Sequence, residues 1–221
     1  MAGVVGAVHH FEDDAYAKDW AFRFTATPGR LELFDTIING LQKEGLASPL
    51  IVELGIGPGF FAERLLSAVE RFTLLGVDNS RPMLDMCRER LSPFGERTLL
   101  MQADISAPGW EGAIPGQVGA VVTTWALHDL GGEAATLAVY KAARALLKRG
   151  GLFFNGDFVR PEGAAVEFEP GRFTVERHLK LLGIAGFEEA ESLGYWEREL
   201  VNPLPSQNYT CFKAVSRITE P

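Results

Sequence analysis

The sequence has few cysteines, no long apolar run and no concentration of positive charge, and each absence excludes a class of protein. Its two cysteines, Cys87 and Cys211, have no cysteine or histidine neighbour at metal-ligand spacing, which argues against a zinc site. No apolar run approaches the roughly 20 residues of a membrane helix. Acidic residues outnumber basic ones, 29 to 21, and the net charge of −8 repels phosphate backbones. We therefore expect no metal, no membrane and no nucleic-acid partner.

The first residues of the chain and its thiols favour a cytoplasmic location. The chain starts with MAGVVGAVHHFEDD, which has no basic region and is a poor signal peptide. Cys87 and Cys211 would allow one disulfide, but two free thiols in a protein of a reducing compartment are the commoner case. The sequence leaves open whether the protein is a monomer or a homodimer.

What the sequence does have is a regular alternation of strand-like and helix-like segments. Its 221 residues, 47% of them hydrophobic, are enough for one domain with a buried core. The predicted strands are 49–54, 72–78, 97–104, 119–125, 151–159, 191–201 and 208–215. This order predicts an α/β, Rossmann-like, doubly wound sheet that is mostly parallel and ends in an antiparallel hairpin at one edge.

Amphipathic segments between these strands predict the helices. The predicted helices are 60–72, 80–91, 132–148 and 173–187. Asn79 or Ser80 begins the second, Gly150 and Gly151 end the third, and Thr174 begins the fourth. Residues 1–48 form a separate helical lead-in whose last helix is 30–45. We therefore divide the chain into an N-terminal segment, 1–48, that covers the active site, and a main domain, 49–221.

The loop after the first predicted strand combines glycines with an acid. Gly55, Gly57 and Gly59 let the backbone approach a ligand closely. A dinucleotide fingerprint would require glycine or alanine where Phe60 stands. Glu53, just before the glycines, suits an ammonium or sulfonium group better than a pyrophosphate. The loop therefore favours S-adenosylmethionine over a nicotinamide dinucleotide.

Acids also end the second and third predicted strands. The Asp78 carboxylate is placed to accept both hydroxyl hydrogens of a ribose, as a similar acid does in enzymes that use NAD. Asp104 is placed to accept from an adenine amine while Ile105 packs on the ring. Met83, in the helix after Asp78, covers the other face of the adenine or belongs to the core.

Five segments, VELGIGPG, GVDNS, QADI, TTWALHDL and LKRGGLFF, together resemble the class I S-adenosylmethionine-dependent methyltransferases over roughly residues 50–160. The resemblance implies a sheet of seven strands with an antiparallel last strand, and S-adenosylhomocysteine as a product. It also implies roles by position: Glu53, Gly55 and Gly57 border the methionine part, Asp78 binds the ribose, Asn79 and Met83 flank the adenosine, Asp104 and Ile105 bind adenine, and Thr124 and Trp125 border the sulfonium and its methyl.

The segment after the fourth strand, TTWALHDL, is where we expect the chemistry. Its Leu127-His128-Asp129-Leu130 resembles the Leu-His-His-Leu of many small-molecule methyltransferases. With an ordinary pKa of about 6.5, His128 is a candidate general base, which Asp129 would orient. The alternative is a structural histidine at the start of a helix.

The N-terminal segment supplies two further candidates. Tyr16 and Arg23 are placed to reach the methionine carboxylate, with Arg30 as a rival for the same role. The alternative is an amphipathic helix packed on the sheet.

The sequence thus predicts an enzyme that transfers a methyl group from S-adenosylmethionine to a small-molecule acceptor by in-line displacement, mainly through proximity and orientation. Three alternatives stay open at this point. They are an NAD-dependent oxidoreductase, a methyltransferase-like protein that binds the cofactor without catalysis, and a protein methyltransferase.

Overall fold

The computed structural model of the protein describes residues 6, 8–23, 27–196 and 208–216. These residues form seven strands: β1 Leu50–Leu54, β2 Thr73–Asp78, β3 Thr98–Gln102, β4 Val118–Thr124, β5 Leu147–Phe158, β6 Glu189–Trp196 and β7 Tyr209–Ser216. They join one sheet in the order β3-β2-β1-β4-β5-β7-β6. Strand β7 runs antiparallel to both of its neighbours, and the other paired strands run parallel. The predicted Rossmann-like sheet with an antiparallel last strand is confirmed.

The described residues also form six α-helices: α1 Asp14–Arg23, α2 Pro28–Lys43, α3 Phe60–Ala68, α4 Arg81–Leu91, α5 Glu133–Leu146 and α6 Val175–Ile184. Two predicted caps are present, because Ser80 accepts from the Met83 N–H at the start of α4 and Thr174 from the Arg177 N–H at the start of α6. Within the described parts of the chain, no helix has the length and apolarity that a membrane span requires.

Successive residues of the central strands alternate between two hydrophobic cores. Ile51 and Leu152 face one core, and their neighbours Val52 and Phe153 face the other. Side chains of a strand point to opposite faces in turn, so a parallel sheet that is apolar on both faces must be covered on both. Helices α2, α3 and α4 cover the first face, and α5 and α6 cover the second.

The junction of α5 and β5 differs from the prediction. The helix ends at Leu146, and Leu147 is already extended and paired with Val118. Gly150 has a φ of +79°, and the β4–β5 register shifts between Val118 and Ala120. The expectation that Gly150 and Gly151 end the helix was therefore wrong, because both lie within an irregular strand. The predicted residues 197–201 of the sixth strand, and the turn at 202–207, lie outside the described residues.

Parallel pairing brings the ends of β1, β2 and β4 to the same edge of the sheet. Leu54 of β1 lies opposite Val77 of β2 and Thr123 of β4. The loops that follow these strands therefore meet, as the general rule for ligand sites in such sheets requires.

A buried polar network lies in the second core. The Tyr140 hydroxyl lies 2.7 Å from Nδ1 of His178, and the Asn155 amide donates to the same hydroxyl at 3.0 Å. His178 is 1% exposed, and its Nε2 atom has no hydrogen-bond partner. Burial lowers the pKa of His178 from 6.5 to about 4, so the ring is neutral in the folded protein at neutral pH.

Mild acid should destabilise the protein through this histidine. The unfolded chain binds the proton at a higher pH than the folded protein, so the stability from neutral His178 is complete above about pH 6.5 and is lost as the pH falls towards 4. A shift of this size corresponds to about 3 kcal/mol. Urea unfolding at several pH values should show a flatter dependence for His178→Gln, whereas the exposed His10→Gln keeps the wild-type slope. Equal slopes for all three proteins would contradict the assignment.

Candidate active site

A cavity of about 460 Å³ lies at the carboxyl edge of the sheet. Residues after β1, β2, β3 and β4 line it, together with residues of the 8–20 segment and the pair Glu169 and Pro170. The structure brings together most of the predicted site residues there: Glu53, Gly55, Gly57, Asp78, Asn79, Met83, Asp104, Ile105, Thr124, Trp125 and His128. Within the described ranges, no three histidine, cysteine or acidic residues are grouped to hold a metal ion.

The glycine loop has a backbone shape that other residues do not readily adopt. Gly55 has a φ of +66°, and a Cβ atom there would lie 2.3 Å from the Cβ of Ala126. Gly57 has a φ of +54°, and its N–H donates to Oδ2 of Asp78 at 2.8 Å. The loop therefore packs closely against the residues after β4 and fixes the Asp78 carboxylate from one side.

Glu53 is a buried acid in the cavity wall with incomplete hydrogen bonding. Its side chain is 1% exposed, and its Oε2 atom has no hydrogen-bond partner. Burial, and to a lesser degree the nearby charge of Asp78, raises the pKa of Glu53 well above its ordinary value. An unpaired carboxylate is costly to bury, so a cation bound beside Glu53 would stabilise its charged form.

Asp78 is held in one orientation by backbone donors. Its Oδ2 atom accepts from Gly57 and its Oδ1 atom from the Ser80 N–H at 2.9 Å. Burial raises the pKa of Asp78, although these backbone bonds oppose the shift. Each carboxylate oxygen keeps a lone pair for a further donor such as a sugar hydroxyl.

The adenine-side candidates lie along the same wall. Asp104 accepts from the hydroxyl and the N–H of Ser106 at 2.6 and 2.8 Å, and these bonds hold the pKa of Asp104 below its usual range. Ile105 is 8% exposed and Met83 is 2% exposed. Met83 thus belongs to the core and lines the cavity at the same time, so the two interpretations of this residue are compatible.

Trp125 follows β4 with an unusual backbone. Its φ of +48° is the one positive value for a non-glycine residue among those described, and such a conformation is strained for a bulky side chain. The backbone N–H of Trp125 donates to the Gly156 carbonyl at 2.8 Å, and the indole ring packs edge-on against Phe34 and Tyr209. The guanidinium of Arg30 lies 5.3 Å from the ring centroid, and Arg30 is not among the residues that line the cavity.

His128 lies in a 3₁₀ turn, Leu127–Leu130, and is held by an aspartate from the neighbouring strand. Its Nδ1 atom is 2.6 Å from Oδ1 of Asp157, whose Oδ2 accepts from the N–H groups of Leu127 and His128. Asp129 was expected to orient the ring, but its Oδ1 atom lies 3.4 Å from Nε2, on the other side. Asp157 holds the ring instead, because the buried end of β5 lies directly beside the turn.

The charges around His128 favour its protonated form. Burial opposes a charge on the ring, but the carboxylates of Asp157, Asp129 and Glu169 outweigh it and raise the pKa of His128. Sequence reasoning missed Asp157 and Glu169. A signal existed for Asp157, since it is the single acid in the apolar segment GLFFNGDFV and stands near a strand end, like the other acids of the site.

The structure does not bring Tyr16 or Arg23 into the cavity. The Tyr16 hydroxyl is 2.6 Å from Nδ1 of His9, and Arg23 pairs with Asp19 on the exposed face of α1. The lining residues of this segment include His9, Phe11 and Trp20 instead. The Phe11 carbonyl accepts from the Ser80 hydroxyl, which ties the segment to the start of α4.

Comparisons with known proteins fit this geometry. A family model described as a methyltransferase domain matches residues 51–151, and no curated protein matches the chain. An O-methyltransferase family protein from Burkholderia thailandensis is 16% identical at a TM-score of 0.62, over 86% of this chain and 57% of that one. Magnesium protoporphyrin IX methyltransferase from Synechocystis, with bound S-adenosylmethionine, is 18% identical at a TM-score of 0.66, over 94% and 93%.

A third similar structure is a phosphoethanolamine N-methyltransferase from Haemonchus contortus with S-adenosylhomocysteine, 16% identical at a TM-score of 0.71 over 96% of this chain and 61% of that one. The chain thus spans less than two thirds of the Burkholderia and Haemonchus proteins. The family match and the strand order agree with each other, and the S-adenosylmethionine bound in the Synechocystis structure is consistent with the predicted cofactor. Residues 51–151 thus match a methyltransferase domain, and the described chain has the Rossmann-like fold of the solved S-adenosylmethionine-dependent methyltransferases to which it is similar.

Proposed function

We propose that the protein transfers a methyl group from S-adenosylmethionine to a small-molecule acceptor, with His128 as the general base. The observation that carries this proposal is the buried pair of His128 and Asp157, which opens on the same cavity as Glu53 and Asp78. The same cavity thus carries groups suited to the cofactor and a group that accepts a proton. We also keep the cytoplasmic location and the division of the chain at residue 48 as proposals.

The cavity wall fits the cofactor chemically. When bound, S-adenosylmethionine supplies a methyl group on a positively charged sulfur, which a nucleophile displaces in line. Glu53, with its unpartnered oxygen, would accept from the ammonium of the methionine part. Asp78 would hold the ribose hydroxyls, and Asp104 and Ile105 the adenine, while Gly55 and Gly57 allow the close approach.

The arrangement around His128 suits proton transfer. Asp157 accepts from Nδ1, which places the ring proton there and leaves Nε2 to take the proton that the acceptor loses. The lone pair that this frees on the acceptor is the nucleophile. Asp157 acts through His128 and is therefore a positioning residue.

Two features support a small acceptor. The cavity has a volume of about 460 Å³, within the usual range for small-molecule sites of about 300–1,000 Å³, and residues of the 8–20 segment cover one side of it. The Synechocystis and Haemonchus structures are named for methyltransferases of magnesium protoporphyrin IX and phosphoethanolamine, which are small molecules.

Glu53→Gln should raise the stability of the unliganded protein and lower its affinity for the cofactor. The raised pKa means that stability is lost as the pH rises through the folded-state value, so the unliganded variant should be about 1–2 kcal/mol more stable than wild type at pH 8. The same variant should bind S-adenosylmethionine at least tenfold more weakly in calorimetric titrations. An exposed control, Glu176→Gln, should change neither quantity. Unaltered affinity in Glu53→Gln would remove Glu53 from the proposed site.

His128 should appear in the pH dependence of kcat/KM. A general base must be neutral, so activity should fall as the pH drops through its raised pKa, and His128→Gln should lower kcat by roughly 10²–10⁴ and abolish this dependence. Asp157→Asn removes a charge that raises the pKa of His128, so the remaining activity should fall at a lower pH than in wild type.

Methyl transfer from labelled S-adenosylmethionine to a panel of small acceptors measures these effects. The exposed His10→Gln is the matched control and should keep the wild-type profile. A His128→Gln protein with full activity would overturn the role of the base, and cofactor binding without transfer to any acceptor would favour a binding protein without catalysis.

A further inference from the structure

The charged side chains in the cavity wall are almost all carboxylates. They are Glu12, Glu53, Asp78, Asp104, Asp129 and Glu169. None of the lining residues in the described part of the chain is a lysine or an arginine, and His9 and His128 are the basic side chains among them. Those of these carboxylates that are ionised favour a positively charged ligand, and a cleft with low-dielectric walls concentrates their field.

Glu53 indicates a place for one positive charge in this cavity. It is almost fully buried, and its Oε2 atom lacks a hydrogen-bond partner. The proposed function assigns this oxygen to the cofactor ammonium. The proposed function also assigns Asp78 and Asp104 to the cofactor, so Glu12, Asp129 and Glu169 are the lining carboxylates that it leaves for the acceptor.

Asp129 is the lining carboxylate that lies beside His128. Its Oδ1 atom lies 3.4 Å from Nε2 of His128 and 4.0 Å from Nε2 of His9, which comes from the covering segment. Glu169 lies nearby and pairs through Oε1 with Arg172, whose guanidinium is buried over the Phe158 ring and does not line the cavity. The Arg172 guanidinium thus compensates the charge of Glu169, whereas His9 and His128 are the basic side chains beside Asp129.

Aromatic rings complete the same cavity. Phe11, Trp20, Phe34, Phe60 and Trp125 all belong to its wall. Faces of aromatic rings attract organic cations, and the rings also cover apolar groups. Arg90 and Arg30 already lie over the Phe60 and Trp125 rings, 4.2 and 5.3 Å from the ring centroids. Rings and carboxylates, with no lysine or arginine among the described lining residues, suit a cation with an apolar body.

We infer that the acceptor is a small organic amine that binds as its ammonium form beside Asp129, with an apolar or aromatic body, and that the cavity rejects anionic acceptors. This inference rests on the proposed function and names its substrate class. An acceptor with a carboxylate or phosphate would meet like charges and find no lysine or arginine among the described lining residues to pair with, so it would be selected against by repulsion as well as by lost attraction.

Three probes with the same ring and nearly the same length test the inference: 2-phenylethylamine, 2-phenylethanol and 3-phenylpropionate. They carry a cation, a neutral hydroxyl and an anion. Titrated at pH 7.5 into the full chain saturated with S-adenosylhomocysteine, the amine should bind at least tenfold more tightly than the alcohol, and the acid should bind more weakly than both. Equal or greater affinity for the alcohol or the acid, or no binding of the amine, would overturn the inference.

Variants locate the source of the selectivity. Asp129→Asn should weaken binding of the amine about tenfold and leave binding of the alcohol unchanged, and Glu169→Gln should act in the same direction. Glu176→Gln, on the exposed face of α6, is the matched control and should keep wild-type affinities. Thermal unfolding of each variant shows whether it folds. If folded Asp129→Asn and Glu169→Gln both keep the wild-type preference, the assignment to these carboxylates is wrong.

Turnover separates this inference from the proposed function. Methyl transfer from S-adenosylmethionine to neutral or anionic acceptors, with amines unreactive, would support the proposed function and overturn the inference. Selective binding of amines without methyl transfer to any amine of a wider panel would overturn the proposed function, whereas the preference of the cavity for cations would stand.

Discussion

The parallel pairing of β2, β1, β4 and β5 is the constraint on which the rest of the site depends. It brings Glu53, Asp78, Trp125 and Asp157 to one edge of the sheet although they are far apart in the chain. Helices cover both faces of these strands, so the carboxyl edge is where strand-end side chains can meet a ligand. The apolar alternation along β1 and β5 therefore determines the position of the site as well as the core.

The site concentrates features that a purely structural domain avoids. Glu53 is buried with an unpartnered oxygen, Trp125 holds a left-handed backbone, and His128 lies between two carboxylates. The unpartnered Glu53 oxygen and the Trp125 backbone cost free energy in the unliganded protein, and the two large cores compensate for that cost. Binding of a cation would compensate the charges, which connects the stability of the protein to its occupancy.

The fold and the strand-end residues that line the cavity could be predicted from the sequence because they depend on local signals. β-Branched runs, glycines that require a positive φ and acids at strand ends are visible in the printed chain, and they located Gly55, Asp78 and Asp104. The partner of His128 depends on strand order, which places Asp157 beside a turn 29 residues earlier. Arg23 was misplaced although its signal was local, since the Asp19 carboxylate one turn away on the same helix pairs with it. The α5–β5 boundary depended on long-range pairing of Leu147 with Val118, which outweighs the local glycine signal.

The positions of the tryptophans make their fluorescence sensitive to a molecule bound in the cavity. Of the four tryptophans, Trp20 and Trp125 stand in the cavity wall, whereas Trp110 and Trp196 are not among its lining residues. The emission of an indole depends on the polarity of its surroundings, so a molecule that displaces water from the cavity acts on two of the four fluorophores. The unmodified protein thus carries its own spectroscopic reporter, and Trp110 and Trp196 provide an internal reference.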